Sequence, residues 1–387
     1  YINLTFLLGS DAIDARWIVW YSSRMSNERV IVAMSGGVDS SVAALLLKEQ
    51  GFDVIGVTMR LWTVERDDLP AVSKRCCSVE DVEDARRVCQ TIGVKHYVMN
   101  FEKEFQEHVV DYFCREYDNG RTPHPCLACN DKIKFDFLMR RAMFLDADYV
   151  ATGHYARVER RDARVKLLKG IDLGKDQSYV LFTLTQMELG RLLLPVGEYP
   201  KSSIRDIAKK GLLPVADKPD SQEICFIPDG DYRKFIGDRG KPRPGDMVDT
   251  SGSFIGKHPG IQFFTIGQRR GLGLNGNTGV PRYVVEIDAN NDRVVLGTES
   301  ELFRSKFWAS NVNFVSGITP ESPLDVTAKI RYKASEFKAT IIPRDGLVEI
   351  SFSEPQRSVT PGQAVVFYDG DEILGGGIIE LAVPSNN

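Results

Sequence analysis

Histidine is scarce, five in 387 residues, and the seven cysteines are too few and odd in number for the disulfide framework of a small secreted domain. A reducing, cytoplasmic setting is expected. No stretch approaches the roughly 20 uninterrupted apolar residues that cross a bilayer, which excludes a helical membrane protein. Positive charge is not in excess either. A formal net charge of -4 gives no global pull toward nucleic acid, so RNA contact would depend on local patches such as 157–169 or 233–243. What the chain does have is apolar material. Hydrophobic residues at 43% and charged residues at 26% describe a protein that buries cores, and 387 residues suffice for two or three of them. The apolar patches of the first 24 residues are broken by Asp11, Asp14 and Arg16, and a basic leader is missing, so they do not read as a signal peptide. Met25 is a candidate start, and residues 1–28 form an N-terminal extension that is a candidate non-native segment.

From Arg29, β-branched apolar runs alternate with amphipathic stretches, the signature of an α/β fold with an open parallel sheet. The pattern predicts strands at Val30 to Met34, Asp53 to Thr58, His96 to Met99 and Tyr149 to Thr152. It predicts helices at Asp39 to Gln50, Val79 to Ile92, Phe101 to Tyr117, Ile133 to Leu145 and Ser203 to Lys210, several of them stopped by glycine. Ala156 to Leu168 suits a hairpin. Beyond about Gly230, Gly and Pro become dense and the segments shorten to Phe263 to Ile266, Tyr283 to Ile287 and Arg293 to Leu296. Val326 to Tyr332, Phe337 to Ile342, Leu347 to Phe352, Ala364 to Tyr368 and Glu372 to Ile379 then read as a small β-barrel. The expected division is a catalytic domain at 29–228, a small central domain at 229–300 and a C-terminal barrel at 301–387.

The sharpest local motif is Ser35-Gly36-Gly37-Val38-Asp39-Ser40-Ser41, between a strand that ends in Ala33 and Met34 and the next helix. Two glycines allow close backbone approach to an anion, and the helix-start N–H groups with the serine hydroxyls can take phosphate oxygens. The Walker lysine is absent. Neutral donors suit a departing pyrophosphate, and Asp39 could help hold the Mg2+ that screens it. A plain strand-to-helix turn is the alternative. The pattern resembles the PP-loop ATP pyrophosphatases, which adenylate a carbonyl oxygen. That resemblance implies an adenine contact at Met59, and Gly153 and His154 fall where open α/β sheets bind ligands.

A second region, Gly120-Arg121-Thr122-Pro123-His124-Pro125-Cys126-Leu127-Ala128-Cys129-Asn130, puts Cys129 at a helix start beside Lys132 and Lys134, where a thiolate is favoured. Cys225 follows in Asp220-Ser221-Gln222-Glu223-Ile224-Cys225-Phe226-Ile227. Cys126, Cys129 and Cys225 could instead supply three ligands to zinc or an iron–sulfur cluster. Cys89 and Cys114 read as core, Cys76 and Cys77 as an exposed or packing pair, and His96 and His108 as structural.

Ser35 to Ser41, Gly120 to Phe135, Gly153 to Ala156, Gly174 to Tyr179, Asp220 to Ile227, Phe264 to Gly273, Ala328 to Tyr332 and Pro361 to Gly377 resemble the bacterial tRNA-specific 2-thiouridylase family in order from about Arg29 to Ala382. The resemblance implies that ATP adenylates O2 of the wobble uridine of tRNAs for Lys, Glu and Gln. It implies a persulfide on Cys225, loaded by a sulfur-relay protein downstream of a cysteine desulfurase. Cys129 then frees the sulfur and forms a transient disulfide with Cys225. His124, Pro125 and Cys126 would meet the target base, and Lys175, Asp176, Gln177, Arg331, Tyr332, His154 and Gln363 the tRNA. Because Arg331 and Tyr332 are expected within a strand, only one of them should face RNA.

Overall fold

The computed structural model describes residues 28–62, 79–161, 164–220, 224–227, 230–240, 242–274 and 280–381. The N-terminal extension, Cys76 and Cys77 lie outside them. Strand β1 (Arg29–Ala33), helix α1 (Val38–Glu49), β2 (Asp53–Arg60), α2 (Val79–Thr91) and β3 (Lys95–Asn100) follow in succession. Helix α3 then runs through Glu102–Phe105, Gln106–Val110 and Asp111–Asp118, and α4 through Pro125–Ala128, Cys129–Leu138 and Met139–Phe144, each with wider π-type turns inside it. After β4 (Tyr149–Ala151) come a hairpin, β5 (Ala156–Arg161) and β6 (Arg164–Lys169), the short helix α5 (Gln186–Gly190), β7 (Leu192–Leu193) and α6 (Lys201–Lys210).

The first sheet is parallel, in the order β3-β2-β1-β4-β7. Because side chains alternate across a strand, Ile31 and Ala33 of β1 join the core under α3 and α4, whereas Val30 and Val32 join the one under α1, α2 and α6. The chain leaves β1 toward β2 and later returns on its other side as β4. The crevice at the carboxyl ends of β1 and β4 is therefore the switch point where open sheets bind ligands.

After α7 (Tyr232–Gly237), four strands form a second sheet in the order β10-β11-β8-β9. They are β8 (Gly245–Asp249), β9 (Phe254–His258), β10 (Tyr283–Asp288) and β11 (Arg293–Gly297). The strand expected at Phe263 to Ile266 is not one. Ile261–Phe263 is a tight 3-10 turn, and Ile261 and Phe264 fill the core of this unit without ladder partners.

The last unit contains β12 (Phe303–Phe314), β13 (Leu324–Lys329), β14 (Phe337–Arg344), β15 (Leu347–Arg357), β16 (Ala364–Asp369) and β17 (Glu372–Glu380). Strand β12 pairs with β15 through its first half and with β17 through its second, closing the six strands into a barrel. The β5–β6 hairpin attaches to this barrel through β17. Strand β13 stops at Lys329, so Arg331 and Tyr332 lie in a turn and the expected strict alternation between them does not apply.

Candidate active site

Two loops meet at the switch point. Gly36 has φ of 71°, a conformation that glycine adopts at little cost, and it lies directly against the Asp81 backbone. No side chain caps the start of α1 at Gly37, leaving its first N–H groups available to an anion. Ser35 is exposed, and its hydroxyl lies 3.3 Å from that of Ser40. Ser41, fully buried, donates instead to the Gly37 carbonyl at 2.8 Å and so supports the loop from within. From the β4 side Gly153 presses on α1: a Cβ there would stand 2.6 Å from the Ser40 nitrogen. Met59, at the end of β2, is buried beside the same core as Ala33, while Met34 and Val38 pack on the other face.

Asp39 is already engaged. Its Oδ1 accepts from the Tyr155 hydroxyl at 2.7 Å and from the Lys201 ammonium at 2.6 Å. Lys201 also reaches Asp220 at 3.0 Å, and Asp220 further binds Lys175 and Arg205, each at 2.9 Å. Burial alone would raise the Asp220 carboxyl, but hydrogen bonds from Lys175 and Lys201 bring it down to about 2. A second lysine, Lys218, donates to the Gly36 carbonyl at 3.0 Å and to Asp81 and Asp84, bracing the glycine turn. Sequence reasoning missed Tyr155, Lys201 and Lys218. Their partners lie at long range in the chain, and no local motif marks them.

The cysteine-bearing helix α4 opens with His124 as its cap: Nδ1 accepts from the Leu127 N–H at 3.2 Å. Cys129 therefore sits one turn inside the helix, not at its start as expected. Lys132 pairs with Asp131 at 3.1 Å, whereas Lys134 reaches His154 Nε2 at 3.4 Å. An ammonium can only donate, so Nε2 of His154 accepts and Nδ1–H donates to Thr152 Oγ1 at 2.7 Å. Cys126 is accessible to water and yet surrounded by protein, the condition of a residue on the wall of a deep cleft. Burial pushes its thiol up, the nearby Cys225 adds to the rise, and Lys134 partly offsets it. Tyr332 faces the same cleft, its hydroxyl pushed up to about 12 by burial, by Asp176 and by Cys126. Cys129 and Cys225 both pack on the core beneath this cleft. None of the five described cysteines is in a disulfide, and among the described residues no group of three His, Cys, Asp or Glu is placed to hold a metal ion. The three-thiol ligand set is thus not assembled here.

The remaining expected residues have varied duties. Asp176 is buried and accepts from the Gly170 and Ser178 N–H groups, and Gln177 Oε1 accepts from the Tyr155 N–H. Arg331 donates to the carbonyls of Arg357 and Ser358. Gln363 donates to those of Thr122 and Pro123, both at 3.0 Å, tying the barrel to the segment just before His124 and Pro125. Cys89 is buried against Gly56, Cys114 is half-buried on the core, His96 bonds Thr58 and the His108 ring lies tilted against Phe137.

Burial lowers His124 to about 4 and takes His154 well below the ordinary histidine value. A folded state that stays neutral while the unfolded chain takes up protons loses stability as pH falls through that window. Stability should therefore drop between about pH 6.5, the unfolded value, and about pH 4. His124→Asn keeps an acceptor for the Leu127 N–H and should flatten part of that slope. Urea midpoints measured across this range decide it; an unchanged slope in the variant would remove His124 from the account.

An open parallel sheet with a lysine-free glycine loop at its carboxyl edge defines the PP-loop class of nucleotide-binding proteins. Residues 28–229 match the family described as tRNA methyl transferase HUP domain, 233–298 the tRNA methyl transferase PRC-barrel domain and 304–379 the aminomethyltransferase beta-barrel domain. The tRNA-specific 2-thiouridylase MnmA 1 of Thermoanaerobacter sp. (strain X514) is 54% identical over 362 residues, 92% of this chain and 99% of the relative. The tRNA-specific 2-thiouridylase MnmA of Clostridioides difficile (strain 630) is 50% identical over 363 residues, with the same coverage. The chain belongs to the tRNA-specific 2-thiouridylase family.

Proposed function

We propose that this protein is an ATP-dependent tRNA-uridine 2-sulfurtransferase acting on the wobble uridine of tRNAs for Lys, Glu and Gln. The observation that carries the proposal is a chain of contacts through the end of β4: Gly153 lies against the first turn of α1 and its uncapped, lysine-free loop, while the adjacent His154 meets Lys134 of the cysteine-bearing helix, which acts on Cys126 beside Cys225. A uridine carbonyl is a poor electrophile because its oxygen leaves reluctantly. Adenylation of O2 releases pyrophosphate to the loop and makes AMP the leaving group. The terminal sulfur of a Cys225 persulfide attacks C2 and AMP departs. The Cys129 thiolate then attacks the Cys225 sulfur, breaking the S–S bond, leaving 2-thiouridine and joining the two cysteines in a disulfide that a reductant resets. His124, Pro125, Cys126 and Tyr332 surround the base, which must be flipped out of the anticodon stack to reach them.

A sulfur-relay protein supplies the persulfide sulfur, and the reaction takes place in the cytoplasm. Mg2+ would screen the departing pyrophosphate, and Asp39, whose Oδ1 accepts from Tyr155 and Lys201, would be the residue of the loop to help hold it. The catalytic domain in this reading spans 29–228, the small central domain 229–300 and the C-terminal barrel 301–387. Labelled ATP incubated with unmodified tRNA should yield AMP and pyrophosphate, and Asp39→Ala should reduce both greatly. Accumulation of ADP would overturn the proposal, and thiolation without any cysteine dependence would favour a PP-loop ligase of another kind.

A further inference from the structure

We propose that Lys201 supplies, from a distant helix, the phosphate-binding cation that the glycine loop itself lacks. The proposal rests on the ATP chemistry above and adds a residue to it. Lys201 opens α6, and its backbone N–H is fixed by Asp172 Oδ2 at 2.9 Å, so the stem of the side chain starts from a set position. Its ammonium crosses to the first turn of α1, where it meets Asp39, 162 residues away in sequence. This is the turn whose N–H groups stand free of a side-chain cap.

The two lysines beside the loop differ in what holds them. Lys218 is bound to Asp81, Asp84 and the Gly36 carbonyl itself, so moving it would unbrace the glycine turn. Lys201 is bound to Asp39 and Asp220, and both carboxylates keep another donor if it leaves. Asp39 retains the Tyr155 hydroxyl, and Asp220 retains Lys175 and Arg205. Breaking a buried ion pair is costly mainly when it strands a charge. Here the cost is limited: Asp220 keeps two cations, Asp39 keeps the Tyr155 hydroxyl and is 32% exposed to water, and the ammonium turns onto a polyphosphate of higher negative charge. Its long flexible stem allows the movement, and only 11% of the side chain is exposed, so the interaction is weakly screened. Lys201 thus rests on Asp39 and Asp220 when the loop is empty and meets the β and γ phosphates when ATP is bound.

The test compares ligands that differ only in phosphate. For Lys201→Met, affinity for ATP and for inorganic pyrophosphate should each fall about tenfold or more, the loss expected for one charge-assisted contact. AMP affinity should stay within about twofold on the same argument. Lys201→Arg should recover much of the loss. A merely structural ion pair would weaken all three ligands alike. In wild-type protein, where folding is not at issue, ATP or pyrophosphate should alter the rate of Lys201 acylation, read by peptide mass mapping, and AMP should not. Equal ATP affinity in wild type and Lys201→Met, or acylation indifferent to pyrophosphate, would overturn the assignment. Wild-type protein that binds neither ATP nor pyrophosphate would instead remove the nucleotide reading of the loop, and this inference with it.

Discussion

Cys225→Ser and Cys129→Ser are both expected to abolish formation of 2-thiouridine, at different steps. The serine at 225 cannot carry a persulfide, so sulfur loading fails, while AMP and pyrophosphate still form from ATP and tRNA. With serine at 129, Cys225 accepts sulfur but no thiolate breaks the S–S bond, so sulfur accumulates on the enzyme. The steps are expected to separate because both cysteines pack on the core under α3 and α4, whereas the glycine loop opens α1. Cys126 is the internal control. It shares the cleft with Cys225, and burial holds it as a neutral thiol near neutral pH, a weak nucleophile. Peptide mapping after a single turnover without reductant should find one disulfide joining 129 to 225. Sulfur recovered on Cys126 instead would reassign the carrier.

Gly153→Ala is expected to lower AMP formation by about a hundredfold, the scale of a misplacement of about 1 Å at a reacting centre. An added methyl carbon would lie 2.6 Å from the Ser40 nitrogen and 2.7 Å from the Asp39 carbonyl carbon, both backbone atoms that no rotamer change relieves. Helix α1 must therefore retreat, carrying with it the N–H groups proposed to meet the nucleotide. Overpacking of this kind costs about 1–3 kcal/mol in stability as well. Gly51→Ala separates the two effects. Gly51 also has positive φ, 91°, but a Cβ there meets nothing within 4 Å, so that variant should lose about 1 kcal/mol and keep its activity. Near wild-type AMP formation by Gly153→Ala would show that the contact with α1 does not shape the nucleotide site.

Strand β1, the glycine loop and α1 were legible in the sequence because every cue there is local: an apolar β-branched run, two glycines, then helical periodicity. The closing strand β12 was not. Its residues serve β15 first and β17 later, and an irregular register between Ser310 and Asn313 breaks the alternation that marks a half-buried strand. Arg331 and Tyr332 were placed in a strand because the apolar pattern runs on past Lys329, whereas the ladder ends there. Cys129 was marked by its helix and neighbouring lysines, whereas the roles of Cys126 and Cys225 were expected through family likeness alone. The Asp39–Lys201–Asp220 chain was invisible, since ion pairs between separate helices and loops leave no periodicity to read.

The hairpin of β5 and β6 ties the two ends of the molecule into one inheritance. It is made by the chain between β4 and β7 of the parallel sheet, yet it lies along β17 of the barrel. Lys169, at its end, is nearly buried and is shared by Glu336 at 2.6 Å and the Gly370 carbonyl at 2.8 Å. A barrel cut out and grafted onto another enzyme would arrive with Glu336 deprived of that cation and with Glu372, at the start of β17, missing its partner Leu168. Chimeras joined at residue 303 should therefore express poorly unless the hairpin travels with the barrel.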